Sequence, residues 1–112
     1  MIREIIYDIT VYAGANYTLD MAYIDDDENP IDMSGWYVEA TLREFAECAD
    51  GIDFFCISDS DGVHIFLTSE QTGELGYSLG EYDVFITDPD NTTRVKLIKG
   101  KARIYANGAR NI

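Results

Sequence analysis

Positive charge is what this sequence lacks most. Its 112 residues hold eight Lys and Arg against 21 Asp and Glu, a formal net charge of −13 at pH 7. A chain this acidic repels phosphate backbones and anionic headgroups, so neither nucleic acid nor a membrane is an expected partner. Long apolar runs are also missing. None approaches the roughly 18 residues of a membrane-spanning helix. The opening Met-Ile-Arg-Glu-Ile-Ile-Tyr-Asp has no apolar h-region of a signal peptide, so the expected product is made in the cytoplasm and not exported. Asn16-Tyr17-Thr18 and Asn91-Thr92-Thr93 match the N-glycosylation pattern and, without an export signal, read as coincidence.

Cysteine and histidine are scarce. Cys48, Cys56 and His64 fall short of the four ligands of a structural zinc site. If residues 49–51 form a hairpin turn, Cys56 falls opposite Glu44, which sets the two sulfurs ~13 Å apart along the ladder. A disulfide needs Cα atoms within about 7 Å. Free thiols are expected, as in a reducing compartment.

Helical periodicity is almost absent, and alternation takes its place. The hydrophobic share, 46%, is enough for an ordered core. Ile5, Tyr7, Ile9 and Val11 alternate with the residues between them. Tyr17, Leu19, Met21 and Tyr23 share a face, as do Trp36, Val38, Ala40 and Leu42. Further alternating or apolar runs occupy 52–58, 63–68, 81–88 and 93–105. Seven or eight short strands separated by Gly, Asp, Asn and Pro clusters predict an all-β fold, an antiparallel Ig-like β-sandwich. It forms a single domain over 1–106 with a C-terminal tail at 107–112. One helical turn is expected near 68–73, where Thr68 and Gln71 have capping-box spacing. Along the last strand, Val95 and Leu97 point inward at odd positions and Ala102 and Ile104 at even ones. One residue must be absorbed, and Gly100 predicts a β-bulge within 98–101.

The stretch Asp25-Asp26-Asp27-Glu28-Asn29-Pro30 invites a calcium reading. Aligned on an EF-hand loop, however, Pro30 takes the position that must be Gly, and Trp36 the position that must be a bidentate Glu. Asp-, Asn-, Gly- and Pro-rich turns are what tight corners use, so no metal or other cofactor is expected. Residues 25–29 read as a solvated turn tip. In the return segment, Ile31 and Met33 should tuck inward and Asp32 should cap the backbone near Ser34. Gly35 should then take a φ that other residues resist. Enzyme signatures are missing: no Gly-x-Ser-x-Gly elbow, no phosphate-cradling loop, and a lone His64 inside a strand. Trp36, Tyr37, Tyr23, Tyr77 and Tyr82 could stack on sugars, but only Tyr77 is expected at a loop tip.

Two segments together resemble a known family. Pro30-Ile31-Asp32-Met33-Ser34-Gly35-Trp36 is similar to a "Pro-x-Asp-Leu-Thr-Gly-aromatic" motif. Leu67-Thr68-Ser69-Glu70-Gln71-Thr72, Gly80-Glu81-Tyr82 and Leu97-Ile98-Lys99-Gly100 follow in the family's order. With Met33 for Leu and Ser34 for Thr, the motifs resemble those of a small β-sandwich domain of tailed-phage virion proteins, similar to the N-terminal domain of phage baseplate upper proteins. Residues 45–62 match nothing in that pattern. The resemblance implies a non-enzymatic virion structural protein that docks in the tail, baseplate or fibre-attachment region. A capsid decoration protein and a carbohydrate-binding module are the alternatives. Its partners would be other virion proteins and further copies of itself, through virion symmetry. The residues expected to reach a partner are Met1, Ile2, Ile5 and Ile6 in the N-terminal arm and Tyr105 and Ile112 at the other end. Pro30, Asp32, Ser34, Gly35 and Gly100 are expected to shape turns.

Overall fold

Alternation in the sequence becomes strands whose burial alternates in step. The computed structural model describes residues 5–25, 27–45 and 51–105. Within them lie β1 (Ile5–Ile6), β2 (Ile9–Tyr12), β3 (Tyr17–Met21), β4 (Tyr37–Arg43), β5 (Ile52–Asp53), β6 (Phe55–Asp59), β7 (Gly62–Leu67), α1 (Ser69–Gly73), β8 (Leu79–Thr87) and β9 (Arg94–Tyr105). The strands form an Ig-like sandwich. The larger sheet runs β1-β9-β8-β4-β5, with β2 also on β9, and the smaller runs β3-β7-β6. Between them Val11, Met33, Leu42, Val63, Ile65, Leu67, Val84 and Ile86 are buried. At about 25 cal/mol per Å² of apolar surface removed from water, this layer is the main source of stability.

Three features depart from expectation. The first strand runs parallel, not antiparallel, to the last: Ile5 pairs with Ile98 and Ile9 with Ala102. No turn joins the two strands, so no hairpin fixes their relative direction. β1 and β2 keep one register and are interrupted only at Tyr7 and Asp8, where the Asp8 carboxylate accepts the Lys101 N–H at 2.9 Å. They therefore correspond to the single strand expected over 5–12.

Second, the run 52–58 is divided between sheets. β5 pairs with β4 through Thr41–Asp53 and Leu42–Ile52. The chain then crosses at buried Phe54, whose N–H donates to the Ala40 carbonyl (2.9 Å), and β6 joins β7. Cys56 is thus opposite Ile65 in the smaller sheet, not opposite Glu44. It is a free thiol, as expected, with its pKa raised by burial. Cys48 lies outside the described residues.

Third, the bulge comes earlier than Gly100. Val84 pairs with Ile98 and Phe85 with Lys96, so Leu97 is the extra residue, and Leu97 and Ile98 are both buried. Gly100 serves a different purpose. It pairs with Tyr82, and a Cβ there would collide with the Tyr7 carbonyl. That carbonyl accepts the hydroxyl of the buried Tyr82.

The return segment behaves as its sequence suggests. Met33 is buried and Ile31 packs against the core. Asp32 Oδ1 accepts the Ser34 N–H at 2.8 Å, and the Ser34 side chain, followed by this backbone bond, lowers the Asp32 pKa. Gly35 has φ +85° and lies against Pro89. Pro30 bridges Ile24, while Asp25 Oδ1 accepts the N–H groups of Asp27 and Asn29, both at 2.9 Å. Asp32→Ala should lower the melting temperature by a few degrees with the fold retained. A melting curve superimposable on the wild type would show the cap to be dispensable.

Candidate functional site

Contiguous apolar residues that a sandwich leaves exposed are candidates for a contact surface. Ile5 and Ile6 are 50% and 71% exposed in β1. Tyr7 is exposed next to them, and Tyr12 and Tyr105 are exposed at the far end of the ladder, where their rings stack with centroids 5.6 Å apart. The pairing Tyr12–Tyr105 ends the β2–β9 ladder, so β1 and β2 run along one side of β9 from Ile98 to Tyr105. Among the described residues no strand pairs with the outer side of β1, so its backbone groups form an open edge. Of the residues expected to contact a partner, Ile5 and Ile6 lie on this edge, and Tyr105 lies roughly 20 Å further along β9. Met1, Ile2 and Ile112 lie outside the described residues.

A second exposed apolar group escaped the sequence reading. On the outer face of the smaller sheet Phe55 pairs with Phe66, their rings stacked at 5.0 Å, and Ile57 is exposed next to them. His64 shares this face through its pairings with Asp20 and Ile57. Its Nδ1 lies 2.7 Å from Asp20 Oδ1 and its Nε2 3.0 Å from Asp59 Oδ1. Hydrogen bonds to Asp20 and then Asp59 raise the His64 pKa above 6.5, and the bond to His64 leads the lowering of Asp59 below 3.8. The raised histidine stabilises the fold fully below pH 6.5 and loses that effect as pH rises through its folded pKa. The lowered aspartate contributes above pH 3.8 and is lost as pH falls through its own. The combined effect is greatest between those limits. His64→Gln should therefore flatten the decline in melting temperature as pH rises above 6.5. An unchanged slope would remove His64 from the account.

The aromatics considered for sugar stacking do not form a platform. Tyr82 is buried, Tyr77 packs against the core, and Trp36 meets Tyr23 edge-on at 6.3 Å. Tyr37 is the exposed member of the set. Among the described residues no three His, Cys, Asp or Glu side chains are gathered to hold a metal ion. The capping box is formed: Thr68 Oγ1 accepts the Gln71 N–H at 3.2 Å, and Gln71 Oε1 accepts the Thr68 N–H at 2.9 Å. These motif residues fix α1 in place and carry no exposed chemistry.

No family model matches the chain, and no curated protein does. Among solved structures it is similar to the NK cell receptor Nkp44, described as a triggering partner in natural cytotoxicity. The TM-score is 0.52, with 15% identity over 92% of this chain and 99% of that one. At such identity the likeness shows the fold alone, an Ig-like β-sandwich.

Proposed function

We propose that this chain is a non-enzymatic structural protein of a phage virion, docking in the tail, baseplate or fibre-attachment region through protein–protein contacts. The order of turn motifs over 30–36, 67–72, 80–82 and 97–100 suggested the reading. The observation that carries it furthest is the exposed apolar group of Ile5, Ile6 and Tyr7 on the open edge formed by β1. An added strand would satisfy that edge with backbone hydrogen bonds and cover its apolar side chains. Several copies per particle, set by virion symmetry, complete the proposal.

Gene deletion followed by electron microscopy of the particles tests it. Normal, infectious particles would remove a tail role. Cross-links to capsid protein in place of tail proteins would transfer the chain to the capsid surface. Ile6→Asp tests the edge itself. The side chain is exposed, so the melting temperature should hold while incorporation into particles falls at least tenfold, the effect of ~1.4 kcal/mol at a contact. Wild-type incorporation would rule out this edge as the docking surface.

A further inference from the structure

The scarce cations are not scattered. All six Lys and Arg residues among those described lie on the outer face of the larger sheet. Arg43 and Lys101 flank Glu81 in the ladder, Lys99 pairs with Asp83, and Lys96 pairs with Phe85. Arg94 places its guanidinium 3.9 Å from the Phe85 ring centroid and 3.3 Å from Glu39. A basin of about 290 Å³ opens among Arg43, Lys96, Lys99 and Lys101, whose four cations outnumber the two carboxylates, Glu81 and Asp83, in the same lining. The Arg43 guanidinium reaches Asp83 at 3.6 Å, while its buried Nε has no hydrogen-bond partner among the described residues. On a chain of net charge −13, this is a local reversal of sign.

The complementary charge sits at one end of the same molecule. The turns after β3, β6 and β8 meet there: Met33 N–H donates to the Asp59 carbonyl at 3.0 Å, and Gly35 packs on Pro89. Their stretches 25–32, 59–61 and 88–90 carry eight described carboxylates and no Lys or Arg. Backbone and side-chain hydrogen bonds hold Asp32, Asp59 and Asp88 at lowered pKa. Within one molecule these groups do not cover the basic face. Strand rise puts Lys99 and Lys101 roughly 16–23 Å along β9 from Arg94, well past the Debye length of about 8 Å at physiological salt.

We propose that the basic outer face of the larger sheet receives the acidic turn end of a second copy of this chain, a head-to-tail contact. Contacts of this kind join different patches on the two partners and build rings or filaments. Charge complementarity supplies register and partner choice. Overall repulsion between copies acts at long range and fades first as salt is added. Association should therefore be strongest at intermediate ionic strength. The inference rests on the multiple-copy part of the proposed function.

Sedimentation velocity of the whole chain tests it. Oligomers are expected at about 0.15 M salt, with monomers at about 1 M, where screening reaches ~3 Å. The double variants Lys99→Gln/Lys101→Gln and Asp27→Asn/Glu28→Gln should each be monomeric, since each loses one side of the contact. Mixed in equal amounts they should form dimers and stop, because one intact contact remains per pair. A mixture that stays monomeric, or variants that associate like the wild type, would overturn the proposal. Wild type that is monomeric at every salt concentration would overturn it independently of whether the variants fold. That last outcome leaves the virion reading to be decided by the deletion experiment.

Discussion

Gly100→Ala is expected to cost ~3 kcal/mol or more of stability, at the upper end of overpacking effects, and to do so without touching a turn. The β-carbon would enter the space occupied by the Tyr7 carbonyl. That carbonyl is turned toward the sandwich, where the Tyr82 hydroxyl donates to it. Moving it pulls on the Tyr7 N–H, which donates to the Lys99 carbonyl at 2.9 Å, and on the Asp8 carboxylate bonded to the Lys101 N–H. One methyl group thus loosens the attachment of the whole first strand. Tyr82→Phe is the control. It removes the hydroxyl, keeps the buried ring, and should cost only ~1 kcal/mol. Urea unfolding of both variants, with unchanged m-values, measures the difference. Equal midpoints for Gly100→Ala and wild type would mean that the carbonyl does not approach the glycine.

Thr72→Val should cost ~2–3 kcal/mol, the penalty for leaving buried polar groups unpaired. Thr72 is fully buried in α1. Its hydroxyl accepts the Gly14 N–H at 3.0 Å and lies 2.8 Å from the Ala15 carbonyl, to which it donates. That one oxygen ties the helical turn to the connection between β2 and β3. Valine keeps the shape, so no cavity confuses the result. Thr72→Ser keeps the hydroxyl and should recover most of the loss, less the ~1 kcal/mol of a deleted buried methyl. Thermal melts that rank valine equal to or above serine would show that shape, not hydrogen bonding, holds the site.

What could be read from the residues alone follows from the range of each interaction. The capping box at Thr68 and Gln71, the Asp32 cap, the φ of Gly35 and the two faces of β4 depend on neighbours a few positions away, and their signals are local. The bulge depends on the facing strand. The parity change along β9 required one, but only the packing of Leu97 and Ile98 against β8 decides where it falls. The crossover at Phe54 was hidden because Ile52, Phe54 and Cys56 alternate with Phe55 and Ile57, which makes both faces apolar. That double pattern was itself the available sign of an exposed apolar face at Phe55, Ile57 and Phe66. The spacing of Arg94, Lys96, Lys99, Lys101 and Arg103 across the same parity change likewise placed the cations on one face. Ile5 and Ile6 were ambiguous for a different reason: an arm that waits for a partner and a strand that fills a core use the same residues.

The parallel docking of β2 on β9 has a consequence for biosynthesis. Ile9 and Val11 are buried, and their ladder partners are Ala102 and Ile104. While the ribosome is still making the middle of the chain, that early apolar segment has no strand to pair with. Elongation at about 5–20 residues per second keeps it waiting for several seconds. Closure of so distant a pair then falls in the slow regime of β-sandwiches, roughly milliseconds to seconds. The nascent chain therefore carries a sticky leading segment through most of its synthesis, and its demand for chaperones should be concentrated there.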